Sequence, residues 1–141
     1  MPAAAATLYN AGSVLCVLSM YLPGQPDLAS RLRQPDVLLV ACLCAQWCGT
    51  CREYQDKFGE LATRLPRATF VWVDIEDEPD LLGDEDIENF PTLLVQDASG
   101  VRFYGTMLPH IGHLEKLLAS VAADPGAHAS GPDLLAALRE D

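Results

Sequence analysis

Two cysteines three residues apart, Cys48 and Cys51 with Gly49 and Thr50 between them, stand where an apolar run gives way to a helical pattern. If a helix starts near Cys48, both side chains lie on one side of its first turn, close enough for a small adjustment to join them as a disulfide. Such a pair is a dithiol–disulfide couple. The first cysteine meets unpaired amide N–H groups and the positive end of the helix dipole, which favour the thiolate that attacks disulfides. The second, one turn inside and more shielded, resolves the mixed disulfide and releases the reduced product. Arg52 adds a cation beside the pair.

Cys42 and Cys44 lie just upstream, so four of the five cysteines fall within ten residues. They alternate along a strand pattern and face one side, where Cys42 would be the one to exchange with Cys51. The plainer expectation for both, and for Cys16, is a buried inert thiol. Four thiols also permit a zinc or iron–sulfur ligand set, although a strand and a helix start must then bring all four sulfurs to one point.

The elements that must position these residues follow from periodicity. Ser13 to Leu22 is nearly all apolar and reads as a first strand, ten residues being too few to cross a bilayer as a helix. Asp27 begins a short helix carrying Leu28 and Leu32, which Pro35 stops. Val37 to Leu43 is continuously apolar, the pattern of a central parallel strand buried on both faces. Cys51, Tyr54, Phe58, Leu61 and Leu65 then recur at three- and four-residue intervals, one face of a helix ending at Pro66. Thr69 to Ile75 is a β-branched and aromatic strand, followed by an acidic stretch that permits a short helix around Leu81 and Leu82. Thr92–Val95 and Val101–Tyr104 read as antiparallel strands joined by residues 96–100. A last helix spans about Gly112 to Ala122.

Nine Lys and Arg against twenty Asp and Glu give a formal charge of −11, which repels nucleic acid and anionic membrane surfaces. The acids crowd between Asp74 and Glu88, a solvated face or a surface for basic partners. No Lys or Arg precedes Arg31, so the early apolar run lacks the cationic start of a secretory signal. An odd cysteine count suits a reducing compartment, and the cytoplasm is the expected location.

A buried strand, then Trp47-Cys48-Gly49-Thr50-Cys51 opening a helix, then Phe90-Pro91-Thr92 before two antiparallel strands, with Gly105 beyond, resembles the thioredoxin family over about residues 37–122. The resemblance implies an α/β thioredoxin fold, a central mixed β-sheet flanked by helices in the order β-α-β-α-β-(short α)-β-β-α. The thioredoxin-like domain would cover residues 1–123, with 124–141 a C-terminal tail, partly disordered and without assigned function, in which Leu134 to Arg139 suit a turn or two of helix but lack the apolar surface to fold alone. It further implies a cis Pro91 packed against the cysteine pair, with the backbone beside it receiving substrate like an added strand. Cys48 is then the nucleophile and Cys51 the resolving cysteine of a thiol-disulfide oxidoreductase. Trp47, Gly49, Thr50, Phe90, Pro91 and Thr92 contact the substrate. Partners would be disulfide-containing proteins and a dithiol electron donor such as a thioredoxin reductase; no cofactor and no metal are expected.

The chain departs from the family in three places. Thr50 replaces the usual proline between the cysteines, which predicts a less reducing couple. Cys42 stands where the family keeps a buried Asp, and Trp72 aligns with that acid's Lys partner. Losing both avoids one unpaired buried charge. The acid's role in deprotonating Cys51 then falls to water, to Glu53 or to nothing. These losses also admit a thioredoxin-fold interaction module without turnover, a competing reading beside the metal protein. His110 and His113 read as surface residues.

Overall fold

A computed structural model of the chain describes residues 20–45, 48–78, 81, 87 and 89–140. Its elements are β1 (Met20–Tyr21), α1 (Leu28–Leu32), β2 (Leu38–Cys44), α2 (Gly49–Arg64), β3 (Thr69–Asp74), β4 (Thr92–Asp97), β5 (Gly100–Thr106), α3 (Ile111–Ala123) and α4 (Leu134–Glu140). The strands form one mixed sheet in the order β1-β3-β2-β4-β5. β1 and β2 run parallel to β3, whereas β4 is antiparallel to both β2 and β5. The apolar run ending in β2 thus becomes the central strand, buried from Leu39 to Cys44. Most of the first expected strand, and most of the short helix expected around Leu81 and Leu82, lie outside the described residues.

Alternation along β2 splits the core into two layers. Val40, Cys42 and Cys44 face α2 and α3, where they meet Tyr54, Phe58, Leu61, Leu114 and Leu118. Leu39, Ala41 and Leu43 face the other way, onto Leu28 and Leu32 of α1 and Leu134, Leu135 and Leu138 of α4. The 3–4 spacing in α2 therefore does what its periodicity predicts as far as Leu61, whereas Leu65, expected on the same face, is the C-cap residue and is 36% exposed.

The turn or two of helix expected at Leu134 to Arg139 is α4, which packs on the second face of the sheet against α1. Its three leucines are 0–4% exposed, each burial contributing about 2 kcal/mol. Gln96 of β4, a polar residue that reads as loop, is buried because α4 needs it. Its Oε1 accepts from the Leu135 amide at 2.9 Å, and its Nε2 donates to Asp133 at 2.8 Å. Arg139 Nε donates to the Leu32 carbonyl at 2.8 Å, and Arg33 to the Arg139 carbonyl at 3.0 Å. Gly131 crosses Tyr104 so closely that a β-carbon there would sit 2.8 Å from the tyrosine Cβ. Arg102 fastens the preceding segment, donating to Val121, Asp124 and Ala127 carbonyls and, at 2.7 Å, to Asp97.

These anchors make the fold acid-sensitive with a definite sign. The Asp133 carboxyl is held below the usual aspartate range by the Gln96 and Ala136 hydrogen bonds. Asp97 is also lowered: burial pushes it up, but hydrogen bonds from Ser99 and Arg102 outweigh that. Each binds fewer protons folded than unfolded, so its contribution is whole above the unfolded pKa and is lost as pH falls through the lowered one. The urea midpoint is therefore expected to fall between about pH 5 and pH 2, and to fall less in Asp133→Asn. An identical acid profile in Asp97→Asn/Asp133→Asn would refute this assignment.

Candidate active site

β2 ends at Cys44 and α2 begins at Gly49, so the connection is short and the first turn of α2 stands over the end of the central strand. The Cys48 amide donates to the Ala45 carbonyl at 3.0 Å, and the Arg52 amide to the Cys48 carbonyl at 3.2 Å. Cys48 is the N-cap residue, with extended backbone (φ −83°, ψ 119°). Its thiol is free and half-buried, against the same apolar cluster as Phe90 and Met107. Cys51, one turn in, is 1% exposed.

The cysteine bonding differs from the sequence expectation. Cys51 is joined to Cys44, with Cα atoms 5.8 Å apart, and not to Cys48. Cys48, as the N-cap, has extended dihedrals, so helical spacing alone does not fix its sulfur beside that of Cys51. The last residue of β2 meets the first turn of α2 across the sheet end, at a separation typical of disulfides. Cys44 is accordingly not the inert core thiol its position in an apolar run suggested. Cys42 remains a free thiol and donates S–H to Cys44 Sγ at 3.8 Å. The four-thiol metal reading loses two of its donors to the Cys44–Cys51 bond. Among the described residues no group of three His, Cys, Asp or Glu side chains converges as a metal site.

Cys42 and Trp72 are register partners on β2 and β3, so the two positions where the charged pair is missing are neighbours here, filled by a buried thiol and an indole. Burial pushes the Cys42 thiol well above its ordinary pKa. Tyr54 is raised too, by burial first and by Cys42 second, and its hydroxyl is the buried side-chain group left without a hydrogen-bond partner among the described residues. The polar groups beneath the disulfide are thus held neutral.

Register brings the remaining site residues to the same end of the sheet. Leu43 pairs with Thr92, so continuing by one residue sets Pro91 level with Cys44, whose other neighbour is Asp74. The Phe90–Pro91 peptide bond is cis. Thr92 Oγ1 donates to the Asn89 carbonyl at 2.7 Å, and the Met107 amide to the Pro91 carbonyl at 3.1 Å, tying this turn to the strand beside it. Gly49 is exposed and Thr50 half-buried at the helix tip. The Arg52 guanidinium folds back to within 3.9 Å of where a Gly49 β-carbon would stand. Trp47 lies outside the described residues. On the far side of Cys51 a cleft of about 460 Å³ opens between Arg52 and Gln55 of α2, Trp72 of β3, and the acids Asp74, Asp77 and Glu78. The His110 and His113 rings lie 5.8 Å apart, tilted by 45°, where α3 begins.

The disulfide partner that sequence reasoning missed is Cys44. The signal was present: a cysteine closing a central strand, seven residues before a cysteine in the first turn of the next helix.

The profile of the thioredoxin family matches residues 25–112. Thioredoxin-1 of Caenorhabditis elegans is 31% identical over 71 residues, covering 50% of this chain and 62% of the relative. An H-type thioredoxin of Ricinus communis is 35% identical over 57 residues, covering 40% and 48%. The chain thus spans about half the length of the curated relatives it matches. A crystal structure of a poplar thioredoxin h shares the fold at a TM-score of 0.63 and 18% identity, over 74% of this chain and 96% of that one. A match across more than half of the sequence, on the fold and cysteine site described above, places this chain in the thioredoxin family.

Proposed function

We propose that this protein is a thiol-disulfide oxidoreductase that reduces or exchanges disulfides in protein substrates. One observation carries the reading: a free, half-exposed thiol, Cys48, caps α2 one turn from a buried cysteine already engaged in a disulfide. The thiolate of Cys48 attacks a substrate disulfide, forming a mixed disulfide and releasing one substrate thiol. Cys51, reduced, attacks the Cys48 sulfur, forms Cys48–Cys51 and releases the second substrate thiol. The exposed backbone at Gly49 and the turn through Phe90, Pro91 and Thr92 flank Cys48 and receive the substrate chain, which Trp47 and Thr50 also contact. The acid-lined cleft beside Cys51 favours substrates carrying basic residues near the disulfide.

A dithiol donor such as a thioredoxin reductase returns the electrons, and neither a cofactor nor a metal takes part. A free thiol at the surface suits a reducing cytoplasm. Among the described residues no helix is long and apolar enough to cross a membrane.

The test is dithiothreitol-driven reduction of insulin. The protein at catalytic concentration is expected to accelerate precipitation of the insulin B chain well above dithiothreitol alone. A rate equal to dithiothreitol alone, from folded protein, would overturn the proposal in favour of a binding module.

A further inference from the structure

Cys51 sits at the junction of two disulfides that cannot coexist. The couple proposed above needs Cys48–Cys51, whereas the structure holds Cys44–Cys51 and leaves Cys48 free. From this we infer that Cys44 is a third redox cysteine, which takes over the bond from Cys48 and hands back a free nucleophile.

The step balances without any outside oxidant. The Cys44 thiolate attacks the Cys51 sulfur of Cys48–Cys51, the Cys44–Cys51 bond forms, and Cys48 leaves as thiolate. The proton lost from Cys44 equals the one Cys48 can regain, and the protein stays oxidised by two electrons throughout. Resting on the oxidoreductase reading, this gives the site an oxidised form that keeps its attacking thiol.

Three observations carry the assignment. The backbones of β2 and α2 already stand at disulfide distance, with Cα atoms 5.8 Å apart, so Cys51 reaches Cys44 with no rearrangement of the sheet. The S–H of Cys42, 3.8 Å from Cys44 Sγ, is placed to hydrogen-bond the Cys44 sulfur when it is reduced and anionic, which favours the attacking form. Burial holds Cys42 protonated, so its S–H is available to that sulfur, while Cys44 is the strand thiol whose backbone stands at disulfide distance from Cys51. The location of the bond completes the argument. Cys44 and Cys51 are 0% and 1% exposed, so a protein partner meets Cys48 and cannot meet the stored disulfide directly.

The exchange is tested by bond mapping on the whole protein. Fully reduced protein is treated with one equivalent of glutathione disulfide, quenched in acid, alkylated and digested. The expected peptides are a Cys44–Cys51 disulfide and an alkylated Cys48; Cys48–Cys51 with alkylated Cys44 would overturn the inference. With excess glutathione disulfide, wild type is expected to gain one glutathione on Cys48, because Cys51 is occupied and cannot resolve it. Cys44→Ala, whose Cys51 is free to resolve, is expected to show Cys48–Cys51 and no adduct. Adducts on both proteins, or on neither, would also overturn it. The wild-type map needs no variant, so misfolding of Cys44→Ala cannot mask the answer. A Cys48–Cys51 map in a protein that reduces insulin sinks the exchange alone, while a Cys44–Cys51 map in an inactive protein sinks catalysis alone.

Discussion

Cys48→Ser is expected to lower insulin reduction to the rate of dithiothreitol alone, a complete loss of catalysis with the fold intact. The reason is accessibility. Among the described cysteines, Cys42 is fully buried and held protonated, and Cys44 and Cys51 are buried and bonded to each other. Cys48 alone is both unbonded and reachable. A serine hydroxyl fits the same N-cap position, a favoured place for that residue, so helix α2 should not suffer. The oxygen cannot, however, form or leave a disulfide.

The companion variant separates attack from resolution. Cys51→Ser keeps the attacking thiol and is expected to lose turnover while accumulating a covalent mixed disulfide with substrate, visible by intact mass and released by dithiothreitol. Cys48→Ser should give no such adduct. Retained activity in Cys48→Ser, or an adduct mapped to Cys42, would place the nucleophile elsewhere and refute the site.

The extent to which this arrangement is legible in sequence differs by element, and the physical cause is range. β2 and α2 declare themselves because each is long and its pattern is local, a continuous apolar run and then Cys51, Tyr54, Phe58 and Leu61 at helical spacing. The hairpin of β4 and β5 is longer than its apolar residues indicate. Gln96 looks like loop until α4 supplies partners for both ends of its amide, and Asp97 and Gly100 then close the turn with Gly100 at φ 135°. α4 is legible as a turn or two of helix but its docking is not, because seven residues with three leucines cannot hold a helix in water by themselves. It needs α1, five residues long and equally marginal by itself, and the two stabilise each other across more than a hundred positions of sequence. The bonding of Cys51 has the same origin. Spacing counts residues along the chain, whereas the turn after β2 decides which sulfur is closer in space.

The largest stability effect is expected at Phe58. Its ring is 0% exposed at the middle of α2, edge-on to Phe70 at 5.1 Å and to Trp72 at 5.8 Å, with Tyr54 a turn away at 6.3 Å. Phe58→Ala removes the contact between the cysteine-bearing helix and β3, and costs about 3–5 kcal/mol. Domains of this size have only about 5–15 kcal/mol in total. Equilibrium urea unfolding should show the loss as a lowered midpoint with unchanged slope. Phe58→Leu, which keeps much of the volume, should lose less. A loss below about 1 kcal/mol for the alanine variant would mean that α2 is not held through this ring.

The redox state then decides whether the variant stays folded. In the chain-entropy account, closing the short loop between Cys44 and Cys51 contributes about 2–3 kcal/mol by restricting the unfolded chain. Reduction and Phe58→Ala therefore weaken the same α2–β2–β3 junction from two sides. Because they are neighbours, their effects should depart from simple addition. The reduced alanine variant is expected to lose its native baseline in urea, while the oxidised one keeps a cooperative transition. If reduction shifts wild type and Phe58→Ala equally, the disulfide and the aromatic cluster act independently and the junction is not a single unit.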